Sequence, residues 1–160
     1  MRTVDILAFG AHPDDVELGC AGSIALSRSQ GKSVVIIDLT QGELGTRGNV
    51  KKRKSEAKKA GEILGVSHRE NMNFRDGFFQ NDEAHQLALI AKIRSFRPQI
   101  ILCNAHNDRH IDHGKANKLV NDSCFLSGLK KIETYDNTGN KHQAWRPKLV
   151  LEYSLILNYL

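Results

Sequence analysis

Two short stretches carry the residue types that could do chemistry. Ala11-His12-Pro13-Asp14-Asp15 sets one imidazole beside two adjacent carboxylates. Asn107-Asp108-Arg109-His110-Ile111-Asp112-His113 sets two imidazoles beside two carboxylates. Adjacent aspartates repel each other unless a cation or solvent relieves them. A metal does this best, because one carboxylate ligates while its neighbour stays free to move protons. Two imidazoles and a carboxylate, with a fourth position open, make a catalytic zinc set. Zinc in such a set polarises a carbonyl and lowers the pKa of a water molecule to about 7. A spare aspartate next to a ligand can take the proton of that water. A further histidine can stabilise an oxyanion or protonate a leaving amine, with a neighbouring aspartate fixing its tautomer. These parts suit hydrolysis of an amide or another acyl bond. Neither stretch contains a thiolate, which disfavours a structural cysteine-type zinc site, and two histidine ligands disfavour magnesium. On the first stretch alone a plainer reading competes, with His12 and Asp14 as turn residues and Asp15 as a helix N-cap. A second stretch of the same design weighs against it.

Both stretches follow a short apolar run and precede a helical pattern. Residues 4–10 (VDILAFG) read as a buried strand and 16–30 as a helix. Residues 33–39 (SVVIIDL) form a nearly continuous apolar, β-branched run, as in a strand covered on both faces. The spacing predicts a second helix over 50–64, a weak strand over 70–74, and a third helix over 83–96 that stops before Pro98. A strand over 99–103 (QIILC) and a helix over 113–127 follow. Residues 130–146 read as an irregular polar loop, with His142 in it, and 148–159 as a last strand. Strands alternating with helices predict an α/β fold with a mostly parallel sheet and helices on both faces. In the doubly wound order 3-2-1-4-5 the first and fourth strands are neighbours, and ligands bind at the switch point between them. His12, Asp14, Asp15, His110, Asp112 and His113 would meet there. No GxGxxG follows the first strand, so there is no dinucleotide fingerprint.

Other loops point to the same end of the sheet. Residues 41–49 hold three glycines, which allows the backbone to approach a ligand closely. Arg53 extends the apolar stripe of Ala57, Ala60, Gly61 and Leu64 backwards, so it faces inward one turn from the helix start. An inward arginine there suits an anionic or hydroxyl-rich group, although it could equally pair with Glu56. Asp76 lies in an Arg-Asp-Gly turn that comes at this edge too.

The net charge of +5 is local, because residues 51–60 (KKRKSEAKKA) carry six bases and one acid. No aromatic platform or nucleic-acid motif accompanies this helix, so a solvated face is expected and no nucleic-acid partner. No apolar run reaches the roughly 20 residues of a membrane helix, and the start of the chain lacks a signal-peptide layout. A cytoplasmic protein without a membrane partner is expected. Cys20, Cys103 and Cys124 are odd in number and widely spaced, and read as buried free thiols.

AHPDD followed by ELGCAG, then QGELGTRG and RHIDHGKA, resembles the PIG-L/LmbE-like zinc N-deacetylases. The segments GELGTRG, NMNFRDG, NDRHIDHGKANKLV and CFLSGLKK are similar to the members that deacetylate N-acetylglucosaminyl malate in bacillithiol biosynthesis. The resemblance runs to about Pro147. It implies a Rossmann-like three-layer α/β/α fold and zinc (Zn2+) held by His12, Asp15 and His113. It implies Asp14 as general base, His110 assisting at the transition state, and Asp112 orienting His110. Glu43, Arg53 and Asp76 match positions that hold sugar hydroxyls. Charge and loop position add Arg47 and Arg109 as partners for the malate carboxylates. The partner is therefore a small-molecule N-acetylglucosamine conjugate.

Two departures stand out. Ile111 replaces a proline usual in the family. The apolar run 154–160 carries no terminator, whereas the family continues with a segment that helps close the substrate pocket. The expectation is one domain over 1–160, truncated at its C-terminal side, with impaired turnover and homo-oligomeric association. Two other readings remain: a metal- or sugar-binding fragment without turnover, and a metal-dependent phosphoesterase. The latter usually needs two metals, and the sequence offers a good ligand set for one.

Overall fold

The computed structural model describes residues 3–155. Strands and helices alternate throughout: β1 (Ile6–Gly10), α1 (Asp15–Ser29), β2 (Val34–Thr40), α2 (Val50–Leu64), β3 (His68–Phe74), α3 (Glu83–Phe96), β4 (Ile100–Asn104), α4 (Ile111–Ser127) and β5 (Leu149–Tyr153). The strands form one sheet in the order β3-β2-β1-β4-β5. Every neighbouring pair is parallel. This is the α/β architecture that the alternation predicts, in the doubly wound order considered for it. The expected last strand ends at Tyr153, and residues 156–160 lie outside the described residues.

β1 and β2 are buried along their whole length, which is why both read as apolar runs rather than as alternating ones. Val16 and Ile24 of α1 cluster with Ile6, Ala8, Val34 and Ile36 on one face, with Leu64 of α2 beside them. Leu89 and Ile93 of α3 and Ala116, Leu119 and Val120 of α4 pack against Leu7, Phe9, Val35 and Ile37 on the other. The sheet is thus the middle of three layers. Among the described residues no helix is long and apolar enough to cross a membrane.

Local chemistry sets the helix ends. The Asn49 side chain accepts a hydrogen bond from the Lys52 amide at 2.9 Å and starts α2, and Gly65, at φ 65°, ends it. α4 begins two residues before the predicted start, because the His110 ring takes the cap position and accepts from the Asp112 amide.

The polar segment 130–146 is irregular, as expected, with one isolated bridge between Tyr135 and Lys141. Arg94 is buried beneath it and donates to the carbonyls of Ser127, Leu129 and Ile132 and to Thr134 Oγ1. His142 is buried as well, between Ser95 Oγ at 2.9 Å and Thr134 Oγ1 at 3.2 Å. Ser95 lies far from it in sequence, so its place in a polar loop does not reveal its burial.

Candidate metal centre

The site forms where β1, β2, β3 and β4 end. Its first support is an asparagine that sequence reasoning missed. Asn104, the last residue of β4, accepts from the Ala11 amide at 3.0 Å and donates to Asp15 Oδ2 at 3.0 Å. It ties the end of β4 to the loop after β1. Thr40, at the end of β2, donates to the Ala11 carbonyl from both its amide and its hydroxyl. The His12 amide donates to Asp15 Oδ2 at 3.0 Å. The loop after β1 is thereby held at both edges, and Asp15 is fixed before any ligand arrives.

His12 and His113 flank that carboxylate. His113 Nε2 lies 3.2 Å from Asp15 Oδ1, and His12 Nδ1 lies 3.5 Å from Asp15 Oδ2. His113 Nδ1 faces Asp108 Oδ2 at 3.1 Å. The His110 ring completes the group, with its centroid 4.6 Å from that of His12 and 5.0 Å from that of His113. Among the described residues, His12, His110 and His113 form one set of donors able to hold a metal ion, and His12, Asp76 and Asp112 form another. Asp15 touches two members of the first set. Imidazoles with a carboxylate fit a zinc donor set.

The electrostatics are those of a site built for positive charge. Burial works against a charged His12, yet Asp15, Asp76 and Asp112 outweigh it and lift its pKa to about 9. Burial also opposes protonation of His113, and Asp15 and Asp108 raise its pKa regardless. Burial would raise Asp15, but hydrogen bonds to His113 and His12 hold it well below the usual carboxylate range. His110 moves the other way, lowered by burial and by the two neighbouring imidazoles. Its Nδ1 accepts from the Asp112 amide at 3.2 Å, so the neutral ring carries its proton on Nε2. Asp14 is exposed at the mouth. Desolvation by the surrounding chain and the charge of Asp15 raise its pKa, against the pull of Arg53 and His12.

Asp112 meets the His110 ring through its backbone amide and not through its carboxylate. It is fully buried, accepts from the Gly77 amide at 2.8 Å and from Lys115 at 3.2 Å, and lies 3.5 Å from His12 Nε2. The early start of α4 explains this, because the backbone amide of Asp112 reaches the ring and its side chain turns inward. Asp76 is likewise engaged, 3.1 Å from His12 Nε2 and accepting from the Leu44 amide at 3.0 Å. Glu43 accepts from the Asp76 amide at 2.8 Å.

Arg53 sits beneath the glycine loop. A Cβ on Gly42, whose φ is 61°, would lie 2.3 Å from Arg53 Nη1, and one on Gly45 would lie 2.8 Å from Nη2. Those glycines admit the guanidinium, and the pairing of Arg53 with Glu56 does not form; Lys52 lies 3.8 Å from Glu56 instead. A cleft of about 320 Å³ lined by Asp14, Arg47, Lys52 and Arg53 runs between α1 and α2. Arg109 is exposed in the loop between β4 and α4 and does not line this cleft.

The model of the PIG-L family, described as GlcNAc-PI de-N-acetylase, matches residues 7–124. Diacetylchitobiose deacetylase from Thermococcus kodakarensis is 30% identical over 141 residues, covering 82% of this chain and 53% of its own length. Mycothiol S-conjugate amidase from Streptomyces coelicolor is 32% identical over 161 residues, covering 81% of this chain and 54% of its own. Among solved structures, the conserved protein TT1542 from Thermus thermophilus aligns with a TM-score of 0.86 and 34% identity, over 95% of this chain and 66% of that one. The chain spans about half the length of these two curated relatives.

Proposed function

Because this chain belongs to the PIG-L, or GlcNAc-PI de-N-acetylase, family, we propose that it is a zinc-dependent hydrolase that removes the N-acetyl group from an N-acetylglucosamine conjugate. The specific substrate in this reading is N-acetylglucosaminyl malate of bacillithiol biosynthesis, in the cytoplasm. The observation that carries the proposal is the convergence of His12, Asp15, His110 and His113 at one sheet edge, with Asp14 open at its mouth.

His12, Asp15 and His113 would hold the metal, which when bound polarises the acetamide carbonyl and acidifies water. Asp14 takes a proton from the water that attacks the acetamide carbon. It returns that proton to the nitrogen as the C–N bond breaks, giving acetate and a free amine. His110 donates from Nε2 to the oxygen that gains charge. Asp112 acts on His110 through its backbone amide and braces His12 and the Gly77 turn with its carboxylate. Glu43 and Asp76 shape the sugar side of the site, and Arg53 supports the glycine loop against it. Arg47, in the cleft beside Asp14, receives a malate carboxylate, and Arg109 approaches the conjugate from the opposite loop. Self-association belongs to the same reading, through the edge strand β5, where Leu149 and Leu151 are exposed.

Acetate release tests the assignment, measured on N-acetylglucosaminyl malate and on plain N-acetylglucosamine with zinc supplied. Release that is faster on the conjugate and lost in Asp14→Asn supports the reading. Zinc binding without release from either compound would favour a metal- and sugar-binding role, and equal rates on both would reject malate as the recognised group.

A further inference from the structure

Pro13 and Ala57 line two cavities, the cleft beside Asp14 and a larger one of about 600 Å³ between α2 and the strands β2 and β3. The larger cavity arises from an unusual pairing of faces. Met72 and Phe74 of β3 pack toward the α3–α4 core. The alternation of a strand then gives Arg69 and Asn71 to the side that α2 covers, and Asn73, at φ 56° where the β2–β3 register shifts, joins them at the cavity. A sheet face beneath a helix is ordinarily apolar. Here three polar side chains lie under a helix whose buried contribution is only Ala57 and Gly61, so the two surfaces do not close on each other.

The floor of this cavity is rigid. Arg69 donates to both oxygens of Asp38 at 2.9 Å, to Glu17, to the Ala57 carbonyl at 3.0 Å and to the Pro13 carbonyl at 3.2 Å. Its charge is therefore engaged, as is that of Asp38. Glu70 pairs with Lys92 of α3, and Glu62 lies 3.9 Å from Lys58. Asn71 donates to the Thr40 carbonyl and accepts from the Asn73 amide. What the hydrogen-bond and ion-pair pattern of the described residues leaves over is the Lys54 ammonium and the Gln41 amide, with the Asn73 side-chain oxygen and the second, buried oxygen of Glu70. A cavity of this volume, with a few convergent polar groups above a fixed floor, is of the kind that takes a small molecule.

We propose that this cavity is a second ligand site, separate from the metal centre, for an anionic, hydroxyl-rich molecule of monosaccharide size. Lys54 receives the anion, and Gln41 and Asn73 receive hydroxyls. The site does not depend on the reaction assigned above.

Glucose 6-phosphate is a suitable probe, titrated into the zinc-supplied protein and followed residue by residue through its backbone amide resonances. Saturable shifts at Gln41, Lys54, Lys58, Asn71 and Asn73 are expected. Lys54→Glu should weaken binding about tenfold or more, the value of one lost charge-assisted contact, whereas Arg47→Ala in the neighbouring cleft should leave it unchanged. Lys54 is exposed, so this variant keeps the fold, and its amide spectrum verifies that directly. Three outcomes would overturn the proposal: no saturable shift, shifts centred on Arg47, Gly48 and Lys52, or inorganic phosphate binding as tightly as the sugar phosphate.

Discussion

Asn104 shows how much of the site rests on residues that perform no chemistry. Its amide joins Ala11 and Asp15 across the β1–β4 pair. Asn104→Ala leaves the buried Ala11 N–H without its partner and releases one side of Asp15. The expected cost is about 1–3 kcal/mol in urea unfolding, with weaker zinc binding beside it. Asp14 predicts the opposite pattern, because it is exposed and makes no structural hydrogen bond that holds the loop. Asp14→Asn should lower kcat by about 10²–10⁴-fold while zinc binding and the unfolding midpoint stay near wild type. The His and Asp residues were legible in the sequence because their types announce their chemistry. Asn104 was not, since a polar residue closing an apolar run gains its meaning only when strand register sets it beside Ala11. The role of Asp112 was hidden for a similar reason. It depends on whether α4 starts at residue 111 or 113, and helix ends are where sequence patterns are least sharp.

At the scale of elements, α1 and β5 meet through one glycine. A Cβ on Gly19 would lie 2.2 Å from Tyr153 Cδ2, and the Tyr153 hydroxyl donates to the Phe9 carbonyl at 2.7 Å. Gly19→Ala should therefore destabilise the fold by about 1–3 kcal/mol through overpacking, seen as a lower urea midpoint. The segment before β5 offers a prediction in pH. Asp136 accepts from the amides of Thr138 and Asn140 and from the Thr138 hydroxyl, which hold its carboxyl at about 2. A carboxyl lowered on folding stabilises the native state above its ordinary pKa of 3.8 and loses that contribution as pH falls through about 2. The difference in urea midpoint between wild type and Asp136→Asn should accordingly be present at neutral pH and shrink below pH 3.8. Regular elements were readable from apolar spacing, and α2 and α3 fall on their predicted bounds. The turn at Asp136 and the burial of His142 were not, because polar groups satisfied by distant hydroxyls or by local turns leave no periodic trace.

Across the whole molecule, the alternation of elements predicts a parallel α/β sheet, and the doubly wound order considered for it, 3-2-1-4-5, is the one found, which brings the loops after β1 and β4 together. What sequence could not supply was the division of the mouth, with Arg47 in the cleft between α1 and α2 and Arg109 outside it. Arg47→Ala should accordingly raise KM for N-acetylglucosaminyl malate more than for N-acetylglucosamine, and equal increases would remove Arg47 from malate recognition. If two loops far apart in the chain build one metal centre, zinc retention depends on Asp15. Elemental analysis of the zinc-reconstituted, dialysed protein beside Asp15→Ala tests it most directly. About one zinc per chain, lost in the variant, is the predicted result. No retained zinc in the intact chain, or equal zinc in both, would contradict it.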